Sequence, residues 1–98
     1  MPDMPNLIIS QKIQDKLDAK MPPVERREVI QCFQNRSGKL LFDTRPDHLS
    51  NPLTLWFLAP TNAGRLLKVA YIPRDGNIYL RSSYDPNATE VLIYKKYG

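Results

Sequence analysis

One cysteine, one histidine and four glycines are all that this 98-residue chain holds of three residue types on which many functional sites depend. The lone thiol, Cys32, has no partner for an internal disulfide, and with neither a second cysteine nor a neighbouring histidine it marks no zinc site. Its ordinary place is that of a small buried apolar residue on a helix. The glycines form neither a phosphate-binding loop nor a dinucleotide fingerprint, and no nucleophile elbow is present. No apolar run approaches the ~18 residues needed to span a bilayer, and Met1-Pro2-Asp3-Met4-Pro5 lacks the basic start of a secretory signal. The chain is therefore expected to stay in the cytosol, away from membranes.

What is present is an ordinary globular composition, with 42% hydrophobic and 24% charged residues, and nine prolines that suggest defined turns. At this length one domain, residues 1–98, is expected, with residues 1–7 loosely ordered. The formal charge is +4 and its distribution is uneven. Residues 1–35 hold five basic and five acidic groups, and residues 82–98 hold two of each. The excess falls in residues 36–81, where Arg36, Lys39, Arg45, Arg65, Lys68, Arg74 and Arg81 outnumber Asp43, Asp47 and Asp75. A localised excess of this kind suits a polyanionic partner, nucleic acid or an acidic protein.

Ile9, Ile13 and Leu17 lie four apart behind Ser10, a suitable N-cap, and predict a short amphipathic helix. Met21-Pro22-Pro23 ends it, and a second helix is expected from about Val24 to Gln34 with Val29, Ile30 and Phe33 facing inward. Beyond Asn35-Arg36-Ser37-Gly38 the pattern changes to short strand-like runs. These are Lys39–Asp43, Leu53–Ala59, Arg65–Ile72 and Asn77–Tyr84. Thr61-Asn62-Ala63-Gly64 and Pro73-Arg74-Asp75-Gly76 supply the turns between the last three. Asn87 to Glu90 reads first as capping chemistry, and only second as a site, at the start of a final helix that docks through Val91, Ile93, Tyr94 and Tyr97. The expected fold is α+β, with two N-terminal helices, a four-stranded antiparallel sheet and a C-terminal helix, the helices covering one face.

Most hydrolase mechanisms have too few parts here. Metal-independent RNA cleavage needs only a base for the 2′-OH, an acid for the leaving 5′-oxygen and cations for the phosphate. Arginine, lysine, tyrosine and one histidine can supply these. His48 is the only side chain whose unperturbed pKa, about 6.5, suits proton transfer near neutrality, and it shares a polar loop with Asp43 and Arg45. A lone loop histidine is also commonly a surface residue, and Asp43 and Arg45 can simply pair. Lys68 interrupts the apolar face formed by Leu66, Ala70 and Ile72, so it either snorkels to an edge or meets a phosphate. Tyr79, Arg81 and Ser83 are expected to share a strand face, with Arg81 suited to bidentate phosphate binding. Tyr84 is a further site candidate. Trp56, Tyr71, Tyr94 and Tyr97 are read as structural.

The succession of Glu28-Val29-Ile30-Gln31-Cys32-Phe33, Trp56-Phe57-Leu58, Gly64–Ile72, Ile78-Tyr79-Leu80 and Glu90…Tyr94 resembles the BrnT-like toxins of the wider RelE-like superfamily over roughly residues 8–96. The resemblance implies the toxin of a type II toxin–antitoxin system: a cofactor-free ribonuclease acting on RNA, free or on the ribosome. It also implies neutralisation by a small antitoxin protein, with a homodimer as a further option. Lys68, Arg81, His48 and Tyr84 become the catalytic candidates, and Arg45, Arg65 and Arg36 the RNA-binding ones, with no metal ligand. The chain departs from the family where further arginines are usual, having Ser83-Tyr84-Asp85 and Val91-Leu92-Ile93 there. It is also similar, through Asp43-Thr44-Arg45, Pro52–Phe57, Tyr84 and Glu90, to short bacterial proteins often labelled ADP-ribosyl-(dinitrogen reductase) hydrolase. It lacks the acidic metal cluster that such hydrolases use. The alternative expectation is a non-catalytic module, an inhibitor or adaptor, that presents a basic sheet to an acidic partner; direct DNA binding ranks below it, because no helix carries a clustered basic recognition face.

Overall fold

A computed structural model describes residues 3–44 and 53–98. Its elements run β1 (Leu7–Ile8), α1 (Gln11–Asp18), α2 (Arg26–Asn35), β2 (Leu41–Phe42), β3 (Leu55–Pro60), β4 (Leu66–Arg74), β5 (Asn77–Tyr84) and α3 (Ala88–Tyr97). The fold is α+β, three helices on a five-stranded mixed sheet ordered β1-β5-β4-β3-β2.

Local chemistry sets most boundaries. Ser10 caps α1 by accepting the Ile13 N–H at 3.3 Å. The second helix starts two residues later than expected because the Glu28 carboxylate accepts the Glu25 N–H at 3.0 Å, which places the cap at Glu25. Ahead of it, fully buried Val24 donates its N–H to the Leu17 carbonyl at 3.0 Å, joining the α1–α2 connection to α1. Asp75 (φ 53°) and Gly76 (φ 78°) both take positive φ, the requirement of a two-residue type I′ hairpin between β4 and β5. Gly38 is needed for close approach, since a Cβ there would lie 2.5 Å from the Tyr94 hydroxyl, which donates to the Lys39 carbonyl at 2.8 Å.

Five expectations are corrected. Residues before Ile8 are not all loose: Leu7–Ile8 pairs in parallel with Ile78–Tyr79, and Leu7 is buried, so the sheet has five strands and is not purely antiparallel. The strand expected over Lys39–Asp43 is only two residues long, because β2 pairs with β3 at Leu41–Trp56 and Phe42–Leu55 alone. The helices do not share one face. Alternation along β3 sends Phe57 and Ala59 toward α1 and α2, while Trp56 and Leu58 meet Val91 and Tyr94 of α3 on the opposite side. Of the docking residues expected on α3, Val91 and Tyr94 pack, whereas Ile93 and Tyr97 are exposed.

The fifth correction concerns β5. Leu80 pairs with Tyr71 and Ser82 with Ala70, so Arg81 is an extra residue in a β-bulge. Past it the alternation is reset: Ser83 is buried opposite Val69, and Tyr84 stands opposite Lys68. Tyr79, Arg81 and Ser83 therefore do not form one regular face.

The main core lies under α1 and α2. Leu17, Val24, Val29, Cys32, Phe57, Leu67 and Val69 are almost entirely excluded from solvent. Phe33 meets Phe57 edge-on at 5.0 Å and Tyr71 at 5.3 Å. Cys32 sits in this core with its thiol donating toward the Ala59 carbonyl at 3.4 Å. Burial pushes that thiol up to about 12, which makes it unreactive near neutrality. Among the described residues no helix is long and apolar enough to cross a membrane.

Candidate functional site

The face under α3 is polar at its centre. Lys68, in the middle of β4, donates to Glu90 Oε2 at 2.7 Å and to the Tyr84 hydroxyl at 3.3 Å. Tyr84 in turn donates its O–H to the same Glu90 oxygen at 2.7 Å. The other carboxylate oxygen of Glu90 accepts the Asn87 N–H at 3.0 Å, while Asn87 Oδ1 accepts the Glu90 N–H at 2.8 Å. One residue thus caps α3 and closes a three-member cluster. The Lys68 ammonium lies 4.8 Å from the centre of the Trp56 ring and 5.6 Å from that of Tyr84, both suited to holding a cation. The Lys68 and Glu90 side chains are only 8% and 13% exposed, so the pair is largely desolvated and each charge depends on the other.

The environment shifts both acids of the cluster. Burial raises the Tyr84 phenol above its ordinary value and the hydrogen bond to Glu90 adds to this, against the pull of Lys68. Burial also acts to raise Glu90, but its hydrogen bonds with Lys68, Tyr84 and the Asn87 N–H outweigh that and hold the carboxyl below its ordinary value. The resting state is a carboxylate, an ammonium and a neutral phenol within hydrogen-bonding distance of one another.

Three adjoining clefts surround the cluster. One lies beneath α3 and is lined by Trp56, Lys68, Glu90 and Ile93 together with Phe42 and Asp43. A second continues from Asp43 and Lys68 past Ser82 and Tyr84 to Arg81 and Lys16. The third starts from Lys16 and Arg81 and runs between α1 and the β4–β5 hairpin to Lys12 and Arg74. Shared walls make them one winding groove. Arg81, carried outward by the bulge, makes no ion pair among the described residues.

The candidates named from sequence separate on this map. Lys68, Tyr84 and Arg81 come together along the middle cleft. Arg65 is placed elsewhere: its guanidinium donates to the carbonyls of Pro22 and Pro23 and to Asp85, with Glu28 at 3.5 Å, so it ties the α1–α2 connection to the start of the β5–α3 link. Arg36 follows α2 at the β2 end and donates to the Gly38 carbonyl. His48 and Arg45 lie outside the described residues, while Asp43 lines the inner clefts.

No family model, no curated protein and no solved structure matches this chain. The functional reading therefore rests on residues and their geometry.

Several participants escape a reading by sequence. Glu90 reads in sequence first as capping chemistry and only second as a site, yet a lysine on an apolar strand face calls for a buried counter-charge, and that signal points to an acid on the element that covers it. Trp56 was assigned to the core, but it also forms the wall on which Lys68 rests. Lys12 and Lys16 were hidden by counting charge in blocks, in which the first third of the chain is neutral. Their helical phase was informative: both flank the Ile9–Ile13–Leu17 stripe, which puts them at the rim of whatever that stripe packs against. In α1 the nearby acids are held by glutamines, Gln11 on Asp15 at 2.8 Å and Gln14 on Asp18 at 2.9 Å.

Proposed function

We propose that the chain is a metal-independent ribonuclease of the RelE-like toxin kind, with its reaction centre at Lys68, Tyr84, Glu90 and Arg81. The observation that carries this reading is the hydrogen-bonded Lys68–Tyr84–Glu90 cluster set in the same groove as Arg81, which makes no ion pair among the described residues. Transesterification of RNA needs a proton moved from the 2′-OH and another delivered to the departing 5′-oxygen, with the phosphate charge held between.

The cluster can do both. The Tyr84 oxygen takes the 2′-OH proton as its own passes to Glu90 Oε2 along the 2.7 Å hydrogen bond. The 2′-oxygen forms its bond to phosphorus while the bond from phosphorus to the 5′-oxygen breaks, and a Lys68 ammonium proton goes to the leaving oxygen. Arg81 neutralises the non-bridging oxygens. The products are a 2′,3′-cyclic phosphate and a 5′-OH. Protonated Glu90 then returns its proton to neutral Lys68 across their own 2.7 Å contact, which resets the cluster.

In this reading a small antitoxin protein is the neutralising partner. Exposed Phe42, Leu92, Ile93 and Tyr97 on and beside α3 offer it an apolar surface next to the groove. Incubating the purified chain with single-stranded RNA and with ribosomes, in the presence of a chelator, should give cyclic-phosphate ends. A 2′-deoxy substitution at the attacked position should prevent cleavage. Tyr84→Phe and Arg81→Gln should each lower kcat by about 10²- to 10³-fold with the circular dichroism unchanged. Intact RNA under both conditions, with normal growth on expression, would exclude the reading.

A second reading has its own observation. Lys68 and Glu90 are buried as each other's partners, the arrangement of an ion pair that anchors α3 to the sheet. The groove would then bind a polyanion without cutting it, as an adaptor or inhibitor. Salt-sensitive binding with no cleavage is the result that would favour it.

A further inference from the structure

The outer cleft, between α1 and the β4–β5 hairpin, is chemically unlike the inner two. Lys12, Lys16, Arg74 and Arg81 line it, and no carboxylate among the described residues does. Glu90 and Asp43, by contrast, are part of the inner clefts. None of these four cations is ion-paired among the described residues, and the acids that α1 carries, Asp15 and Asp18, are bonded to Gln11 and Gln14. Four like charges converging on one concavity repel one another, and they are stabilised together by a ligand that brings several negative charges at regular spacing. The floor is not uniformly polar: Tyr79 is 37% exposed beside half-buried Ile72, giving a flat aromatic surface among the cations. Cations alternating with an aromatic platform are the two components of a single-strand track, backbone phosphates on the first and a base on the second.

We propose that this outer cleft holds the flanking segment of a single-stranded RNA whose scissile step lies at Tyr84, with Lys12, Lys16 and Arg74 taking phosphates and Tyr79 stacking on one base. The proposal rests on the ribonuclease reading only for where the strand is cut. Continuity is provided by Lys16 and Arg81, which belong to both the outer and the middle cleft, so one strand can run from the hairpin to the cluster without leaving cationic walls. The cleft is a binding surface with no chemical step of its own.

The test uses fluorescent RNA methylated on every 2′-oxygen, which binds but cannot be cut, in lengths of about four and about ten nucleotides. Its binding is read by anisotropy across a salt series. The exposed double variant Lys12→Gln/Arg74→Gln should weaken the longer strand roughly tenfold and lower the slope of log K against log salt by about 1.4, two phosphate contacts at about 0.7 each. The short strand should bind the variant as it binds the unaltered chain. Tyr79→Ala should cost the longer strand about fivefold or more while leaving the salt slope in place. In parallel, the lysine–arginine variant should raise KM on long cleavable RNA with kcat unchanged.

Equal affinity and equal slope for the variant would overturn the proposal and leave the reaction centre untouched. Groove-dependent binding without any cleavage would uphold the track while removing the nuclease. Displacement of RNA by poly-glutamate at equal charge concentration would overturn it in favour of an acidic polypeptide, and a failure to bind either strand would overturn it outright.

Discussion

The two faces of the sheet solve opposite problems with strands of the same sequence style. Under α1 and α2, β3 and β4 present Phe57, Ala59, Leu67 and Val69, all but removed from water, and the two helices add Leu17, Val29 and Cys32. Under α3 the buried apolar contribution shrinks to Trp56, Leu58 and Ala70, and α3 has no fully buried residue. The first face spends its area on packing, while the second leaves a cleft with a charged pair at its centre. The comparison teaches that stability and site chemistry are divided by the two-residue alternation of the same strands, so neighbouring positions answer to different constraints.

The sharpest way to break that division is to remove bulk from each face in turn. Phe57→Ala, at a fully buried position contacting Phe33, should cost about 4 kcal/mol of unfolding free energy, whereas Trp56→Ala on the other face should cost about 3 kcal/mol. Denaturant midpoints would measure both. Equal losses would mean that α3 covers its face as firmly as the N-terminal helices cover theirs.

The charged pair gives the next effect. Glu90→Gln leaves the Lys68 ammonium largely buried without a counter-charge and should cost about 3 kcal/mol, while Lys68→Met combined with Glu90→Leu should recover most of that loss. The double variant separates the two roles of the pair, since stability would return and cleavage would not. The pair also sets an acid limit. Because the folded-state carboxyl of Glu90 is held below its ordinary value, its contribution is complete above the unfolded pKa and is lost as pH falls through the lower, folded one. Thermal unfolding followed downward from about pH 5 should therefore show a falling limb that flattens in Glu90→Gln.

The smallest effect belongs to the cap. Asn87→Ala removes the acceptor of the Glu90 N–H and should lower stability by about 1 kcal/mol, read as a modest shift in the chemical denaturation midpoint. If activity falls by more than this loss of fold explains, the cap is needed to aim Glu90 as well as to start α3.

Much of the architecture was legible because it is encoded within a few residues. Ser10 before an apolar stripe, Asp75-Gly76 between two strand-like runs and Asn87 three residues ahead of Glu90 each specify a local conformation, and each takes it. β1 was hidden for the opposite reason. Two residues carry no periodicity, and their strand exists only because a partner some seventy positions away offers a parallel edge. The position of α3 depended on which strand face remained uncovered, a fact about the assembled sheet. At the candidate site, Lys68 stands out in the sequence because a charge interrupts an apolar strand face, whereas Tyr84, an ordinary strand residue, carries no such signal. Lys12 and Lys16 do not stand out, since their approach to Arg81 depends on how α1 lies along β5.

The bulge at Arg81 carries a consequence about counting. Simple alternation from Leu80 would send Tyr84, four residues on, to the buried side; the bulge is what returns the phenol to the face of Lys68. Deleting Arg81 alone would leave a regular ladder with Ser82, Ser83 and Tyr84 still opposite Ala70, Val69 and Lys68, so the cluster would keep its face and lose only its arginine. Sequences that keep the cluster can therefore lose that one residue together with its bulge, but they cannot keep the length and straighten the strand. A chain shortened there would retain the cluster without the arginine that lines both the middle and the outer cleft.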